Sequence, residues 1–289
     1  MNSPAWATRE FFLHHLDAFQ AIYETRPIRD NAGGMLSPHM FYTWLTARTL
    51  NPELIIDSGT YKGQSAWLFK QACPNAKVIS FDIDTSQREI TCEGVEYVDG
   101  DFSQYDWSRI PEKSLAFFDD HQNAYNRMQQ CNWFGIKNIM FEDNYPPQHG
   151  DCYSPKKIFS CAGFRDTKAG QNDQDNAEKA SILRRVARKL IRKLQSSDPQ
   201  ESQMDQFQAI HVKKNDWDKK ILESKLENYI EFPPIYKCNL TRWGDAWDEN
   251  YPTPEPLKGC ISFEESVNSS DIYAKECRAY TWICLCKLK

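Results

Sequence analysis

Two acidic runs carry the densest chemistry in the sequence, Asp119-Asp120-His121 and Glu142-Asp143-Asn144. Each closes an apolar run, Ser114-Leu115-Ala116-Phe117-Phe118 and Asn138-Ile139-Met140-Phe141, and a helix-length segment separates them. Neighbouring parallel strands put their C-terminal ends about 5 Å apart, so the side chains that follow can meet. Three or more carboxylates gathered there repel strongly unless protonated or bound to a cation. An oxygen-only cluster suits a hard divalent ion, Mg²⁺ first, then Mn²⁺ or Ca²⁺. The plainer alternative is that one acid of each pair faces inward, capping a helix or pairing with an arginine. His121 needs little tuning to serve as a base near neutral pH.

A second group of residues lies upstream. Leu54-Ile55-Ile56-Asp57-Ser58-Gly59-Thr60-Tyr61-Lys62-Gly63-Gln64-Ser65 reads as a short strand, a glycine-spaced turn and a helix start. Gly59 and Gly63 let the backbone approach a ligand closely, and the helix start near Gln64 and Ser65 offers unpaired N–H groups. Lys77-Val78-Ile79-Ser80-Phe81-Asp82 is a second strand ending in an acid, about 20 residues on, where a nucleotide-binding fold places its ribose carboxylate. Val95-Glu96-Tyr97-Val98 with Asp99-Gly100-Asp101 is a third. Five strand-like runs end in carboxylates. In an open parallel sheet those acids converge on one rim, where ligands bind.

The order Asp57-x-Gly59-x-x-x-Gly63, Asp82, Gly100-Asp101 and the two later acid pairs resembles class I S-adenosylmethionine-dependent methyltransferases, over residues 50 to 145. The resemblance implies a doubly wound, Rossmann-like α/β sheet, mostly parallel with an antiparallel last strand. It implies that Gly59 and Gly63 border the methionine part of the cofactor. Asp82 would take the ribose hydroxyls and Asp101 would lie against the adenine, with Asp57, Ser58, Thr60, Tyr61, Ser65 and Asp119 completing the set. An NAD-type Rossmann domain is the alternative, and its Gly-x-Gly-x-x-Gly spacing does not fit this turn.

The acid pairs are similar to those of two metal-related subgroups, catechol O-methyltransferases and cephalosporin-hydroxylase-like proteins. Both resemblances imply Asp120 and Asp143 as metal ligands; the first adds Asn144 and the second Glu142. Catechol enzymes carry a lysine three residues after the metal aspartate. This chain has Asn123 there, which leaves His121 as the candidate proton acceptor and Asp120 as its catalytic neighbour. The implied reaction moves an activated methyl group from S-adenosylmethionine to a hydroxyl. A cation that chelates two neighbouring oxygens favours a vicinal diol, a catechol or a sugar. A metal-free methyltransferase for nitrogen or carboxylate stays open, as does a non-catalytic module of the same fold.

The remaining segments must position these groups. Residues 8 to 25 read as an amphipathic helix with Phe12, Leu16, Phe19 and Ile22 on one face, and Pro38 to Leu50 as a second helix. Together residues 1–50 are expected to pack on or cover the cofactor site formed by residues 51–150. Gly33-Gly34 between them reads as a turn or a cover. Residues 151–228 are expected to insert a polar, mobile loop (151–176), a basic amphipathic helix (Ala177 to Gln195) and a helix from Trp217 to Asn228. The basic helix reads first as a solvated outer face, then as a dock for an anionic glycan or acidic partner, or a membrane surface. Residues 229–289 supply the last strands, around Tyr229–Phe232 and Tyr280–Cys286. Between them Arg242 to Pro254 forms an aromatic, acidic loop that either stacks on a sugar or is anchored by its own tryptophans. These polar segments favour a sugar or glycoconjugate acceptor over a flat phenol.

Composition narrows the setting. With 289 residues, 40% hydrophobic and 13% aromatic, the chain has ample material for a core. A net charge of −5 argues against a general nucleic-acid field. No apolar run is long enough to span a bilayer, and no secretory segment is visible at the start. The 10 cysteines lack Cys-x-x-Cys pairing and read as reduced thiols in a cytoplasmic protein. On the same ground the Asn239 and Asn268 glycosylation patterns read as chance matches. The sequence does not fix the oligomeric state.

Overall fold

Helix α1 (Arg9–Tyr23) starts where the Thr8 hydroxyl accepts the Phe11 N–H at 3.2 Å. Its buried residues, Phe12, Leu16, Phe19 and Tyr23, recur at helical spacing and turn one stripe inward. Helix α2 (Ser37–Leu50) is buried from Ser37 to Ala47, so it is an interior helix, and Asn51 ends it in the left-handed conformation. The computed structural model describes residues 3–147, 149–162, 216–241 and 254–289.

After α2 come β1 (Leu54–Ser58), α3 (Gln64–Ala72), β2 (Lys77–Asp82), β3 (Val95–Asp99), β4 (Ser114–Phe118), α4 (Ala124–Phe134) and β5 (Asn138–Phe141), with only short 3-10 turns between β2, β3 and β4. Then follow α5 (Pro155–Phe159), α6 (Trp217–Lys225), β6 (Leu226–Glu231), β7 (Lys237–Cys238), β8 (Cys260–Ile261), α7 (Phe263–Asn268), α8 (Ile272–Lys275) and β9 (Cys284–Leu288). One sheet holds seven strands in the order β3-β2-β1-β4-β5-β9-β6, and β7 and β8 form a small separate pair. Strands β1 to β5 pair in parallel, and β9 runs antiparallel to both neighbours. This is a Rossmann-like α/β sheet, mostly parallel with an antiparallel last strand.

Strand alternation divides the core into two layers. Leu115 and Phe117 of β4 join the side chains of α1, α2 and α3. Ala116 and Phe118 join Met128 and Cys131 of α4, Ile158 of α5 and Leu222 of α6. Cys284 and Cys286 face that second layer together, with the period of two expected of a strand. All ten cysteines are free thiols. No helix among the described residues is long and apolar enough to cross a membrane.

Several boundaries differ from the sequence reading. The helix from Trp217 ends at Lys225 rather than Asn228, because Leu226 pairs with Leu288 and joins the β9 ladder. The last strand begins at Cys284 rather than Tyr280. Trp282 has a φ of 62°, and the Thr281 N–H is taken by His39, so neither can extend the ladder. Residues 151–162 are not a loose insertion: Ser154 caps α5, and Cys152, Tyr153 and Ile158 are buried. The expected polar loop from residue 163, the basic helix 177–195 with its pairing over the rim, and residues 242–253 of the tryptophan loop lie outside the described residues.

Candidate active site

The sheet order reverses direction at β1 and β4, which pair with Ser58 opposite Phe118. A crevice opens beyond the carboxyl ends of strands at such a switch point. Gly59 and Asp119 are the first residues past those two ends. Gly59 has φ +106°, and a Cβ there would lie 2.0 Å from the Asp119 carbonyl oxygen. Only glycine lets this turn rest on the end of β4. Gly63, at φ +97°, answers a different constraint: a Cβ there would lie 2.6 Å from the Ile90 carbonyl oxygen.

A cavity of about 430 Å³ fills the crevice, lined by Ser58, Gly59, Thr60, Tyr61, Ser65, Asp82, Gly100, Asp101, Asp119 and Asp120 among others. Its size suits a small-molecule cofactor. The Asp82 carboxylate holds the turn by accepting the Tyr61 N–H at 2.7 Å and the Asp84 N–H at 2.9 Å, and each oxygen keeps a lone pair for a ligand. At Gly100, φ +143°, nothing lies within 4 Å of where a Cβ would stand, so this wall leaves room for a bound group. These features fit the adenosine and methionine parts of S-adenosylmethionine.

Two of the residues expected at this cofactor site do not line the cavity, Asp57 and Gly63. Asp57 is fully buried beneath the turn, accepting from Ser65 Oγ at 2.9 Å and Ser80 Oγ at 2.7 Å, while its other oxygen has no hydrogen-bond partner. Burial outweighs those two bonds and pushes its carboxyl up to about 7.

Arg127 organises the floor of the cavity. Its buried guanidinium donates to Asp101 Oδ1 at 3.0 Å and, through Nε, to Asp120 Oδ2 at 3.0 Å. Asp120 also accepts from Ser58 Oγ at 2.7 Å. Burial pushes Asp101 up, but the Arg127 bonds and charge, with Ser103, outweigh it and hold the carboxyl at about 2. Asp120 is thus engaged by arginine and serine, the helix-side role left open by the plainer reading.

Beyond this floor, three ligand atoms converge. Asp119, His121 and Asp143 each offer one donor, and the three donors lie within 4.8 Å of one another. His121 sits at φ 53°, an uncommon conformation for a residue with a Cβ. Its Nδ1 is 3.0 Å from Asp151 Oδ1 and 3.3 Å from Asp143 Oδ2. The Asp151 bond, opposed by burial and helped by Asp143, raises its pKa to about 9. Asp143 Oδ2 is buried and accepts no hydrogen bond of good geometry, the 3.3 Å His121 contact being an ion pair. Burial and neighbouring acids push both Asp119 and Asp143 well above the usual carboxylate range. A divalent cation fits here: it would engage the Asp143 oxygen and relieve the acid–acid repulsion. With an imidazole in the donor set, Mn²⁺, Fe²⁺ and Zn²⁺ suit the cluster as well as Mg²⁺.

This set differs from the one the resemblance implied. Of Asp120, Glu142, Asp143 and Asn144, only Asp143 is in the cluster. Glu142 Oε1 is bonded to His39 Nδ1 at the edge of the site. His39 Nε2 accepts the Thr281 N–H at 2.8 Å, so the ring proton sits on Nδ1 and is donated to Glu142. Asn144 is fully buried, donating to the Tyr229 hydroxyl at 3.1 Å and accepting the Lys156 N–H at 2.8 Å. Both its polar ends are occupied away from the cluster.

Sequence reasoning did not single out Arg127, His39 or Asp151. Arg127 left one signal: it sits in the buried stripe of α4 formed with Ala124, Met128 and Cys131, where a charge demands a partner. The partners of His39 lie 103 and 242 residues away, beyond any local pattern.

No family model matches the chain, and no curated protein matches it. Among solved structures, CmcI with SAH is 20% identical over 42% of this chain and 68% of its own, with a TM-score of 0.35. The SAH-bound Podospora anserina methyltransferase PaMTH1 is 16% identical over 44% of this chain and 62% of its own, at 0.36. The O-methyltransferase TomG from Streptomyces achromogenes, in complex with SAM, is 15% identical over 46% and 65%, at 0.32. This chain therefore spans less than two thirds of the length of PaMTH1 and TomG. Likeness at this level settles no activity, and the functional reading rests on the geometry above.

Proposed function

We propose that the chain is an S-adenosylmethionine-dependent O-methyltransferase that uses a divalent cation to activate a hydroxyl of a diol-bearing acceptor, in the first instance a sugar or glycoconjugate. One observation carries this reading. Asp119 and His121 belong to the cofactor cavity at Gly59 and also to a second cavity, of about 860 Å³, that Glu142 and Asp143 help to line. A donor in the first cavity and an acceptor in the second would meet at that shared wall, the proximity that methyl transfer requires.

The residues take distinct roles. Gly59, Thr60 and Tyr61 form the turn against the donor, and Asp82 binds its ribose hydroxyls. Arg127 fixes Asp101 and Asp120 so that the cavity floor is rigid before the donor arrives. Asp119, His121 and Asp143 hold the cation. Bound in these places, the donor supplies a methyl group already activated on sulfonium, and the cation lowers the pKa of an oxygen it holds. While His121 holds the cation, one ring nitrogen is spent on the metal and the other keeps its hydrogen, so the proton of the acceptor hydroxyl leaves to solvent. His121 serves as the proton acceptor only in a chain without the cation. Its pKa of about 9 in the metal-free chain means that it must first lose a proton, by rising pH or by exchange for the cation.

A second reading has its own observation. His121 is already paired with Asp143 and Asp151 without a cation, as it would be in a metal-free methyltransferase. The test is methyl transfer from labelled S-adenosylmethionine to a panel of diols, before and after chelation, with Mn²⁺ or Mg²⁺ returned. Loss of transfer on chelation and recovery with metal support the proposal. Undiminished transfer under chelator supports the metal-free reading, and tight donor binding with no transfer to any acceptor supports a binding module.

A further inference from the structure

The cavity beyond the acid cluster is electrically two-sided. Asp119, Glu142 and Asp143 line one part of it, whereas Arg26, Arg29, Lys275 and Arg278 line another. None of these four cations forms an ion pair among the described residues. Two acids also line the cavity, Asp30 and Glu276. Glu276 Oε2 already accepts the Tyr23 hydroxyl and the Ser37 N–H, each at 2.8 Å.

Two of the cations are held in place. The Arg26 guanidinium lies 3.9 Å from the centre of the Tyr23 ring and donates to the Tyr23 carbonyl at 2.9 Å. That of Arg278 lies 4.0 Å from the centre of the Phe263 ring. Their Nε–H groups are buried and lack a hydrogen-bond partner. Ring stacking of this kind orients a guanidinium without neutralising it, which leaves its remaining N–H groups to donate to an oxyanion. Arg29 and Lys275 are exposed and add charge at the mouth.

We propose that the methyl acceptor is an anion: a hydroxyl compound carrying a carboxylate or a phosphate, held by Arg26, Arg29, Lys275 and Arg278 while its hydroxyl faces Asp119, His121 and Asp143. The proposal rests on the methyltransferase reading for the hydroxyl end and, for the anionic end, on four cations that have no ion pair among the described residues. Because the anion is remote from the reacting oxygen, its contacts contribute ground-state binding and appear in KM rather than kcat.

The first test is calorimetric titration of the full chain with inorganic phosphate. Binding that is weakened about tenfold or more in Arg29→Gln/Lys275→Gln, and separately in Arg278→Gln, supports the anion site. No binding, or equal binding in all variants, overturns it. The two exposed positions keep folding out of the question.

The second test compares charged acceptors with neutral partners of the same shape, with S-adenosylmethionine and Mn²⁺ present. The pairs are 3,4-dihydroxybenzoate against its amide and glucuronate against glucose; glucose 6-phosphate separates phosphate from carboxylate. A kcat/KM about tenfold higher for one class of anion, lost in Arg29→Gln/Lys275→Gln through KM, supports the proposal. Metal-dependent transfer that ignores charge overturns it while leaving the methyltransferase reading intact. Transfer to no acceptor sinks that reading, and the phosphate titration then decides the anion site alone.

Discussion

Gly59 rests directly on Asp119: a Cβ at Gly59 would stand 2.0 Å from the Asp119 carbonyl oxygen. The cofactor turn and the first residue of the proposed cation site are therefore one packed unit. Gly59→Ala must both hold φ near +106° and displace backbone. We expect it to cost at least about 2 kcal/mol in denaturant unfolding and to weaken donor binding in calorimetry. Unchanged stability would mean that the turn is not seated on β4.

Arg127 is expected to matter as a charge between two carboxylates. Arg127→Met leaves Asp101 and Asp120 facing each other without a cation and should lower stability at pH 7 by about 3 kcal/mol. The sign with pH is defined. Asp101 has a pKa of about 2 in the folded chain against 3.8 ordinarily, so its stabilisation is full above that ordinary value and is lost as pH falls toward 2. Unfolding curves between pH 4 and 2 should steepen for the native chain and flatten for Arg127→Met.

Asp57 behaves in the opposite sense. Burial raises its folded pKa to about 7 from 3.8, so the folded chain holds a proton that the unfolded chain has lost. Stability from this group is full below pH 3.8 and declines as pH rises through 7. Asp57→Asn keeps an acceptor for the Ser65 and Ser80 hydroxyls and needs no charge. Its unfolding free energy should lack that decline, with a difference from the native chain that grows by on the order of 4 kcal/mol between pH 4 and 8.

These groups also show what a sequence discloses. Runs such as Leu54–Ser58 and Ser114–Phe118 are legible as strands because a strand buried on both faces carries consecutive apolar residues, here Leu54-Ile55-Ile56 and Leu115-Ala116-Phe117-Phe118. The terminal acids were legible as a rim because parallel strands end together. Which way each acid turns was not. Asp119 reaches the cluster while Asp120 turns to Arg127, a choice made by a partner on the following helix. The start of the last strand was hidden for the same reason, since Thr281 is diverted to His39, 242 residues away.

His39 supplies a prediction about positioning. It is buried and fixes Glu142 through Nδ1 while Nε2 is anchored on Thr281. His39→Ala leaves the Glu142 carboxylate without that donor beside Asp143. Stability should fall by about 1–3 kcal/mol, and Mn²⁺ affinity in a titration should weaken by about 10- to 100-fold. Unaltered Mn²⁺ affinity would place Glu142 outside the influence of the cation site.

The decisive measurement is a crystal structure of the chain with S-adenosylhomocysteine and Mn²⁺, with the ion located by anomalous scattering. We expect one peak bounded by Asp119, His121 Nδ1 and Asp143, and the nucleoside in the cavity beside Gly59 with its ribose on Asp82. An ion bound instead through Asp120 or Asn144, no ion at all, or a nucleoside away from Gly59 would contradict the account.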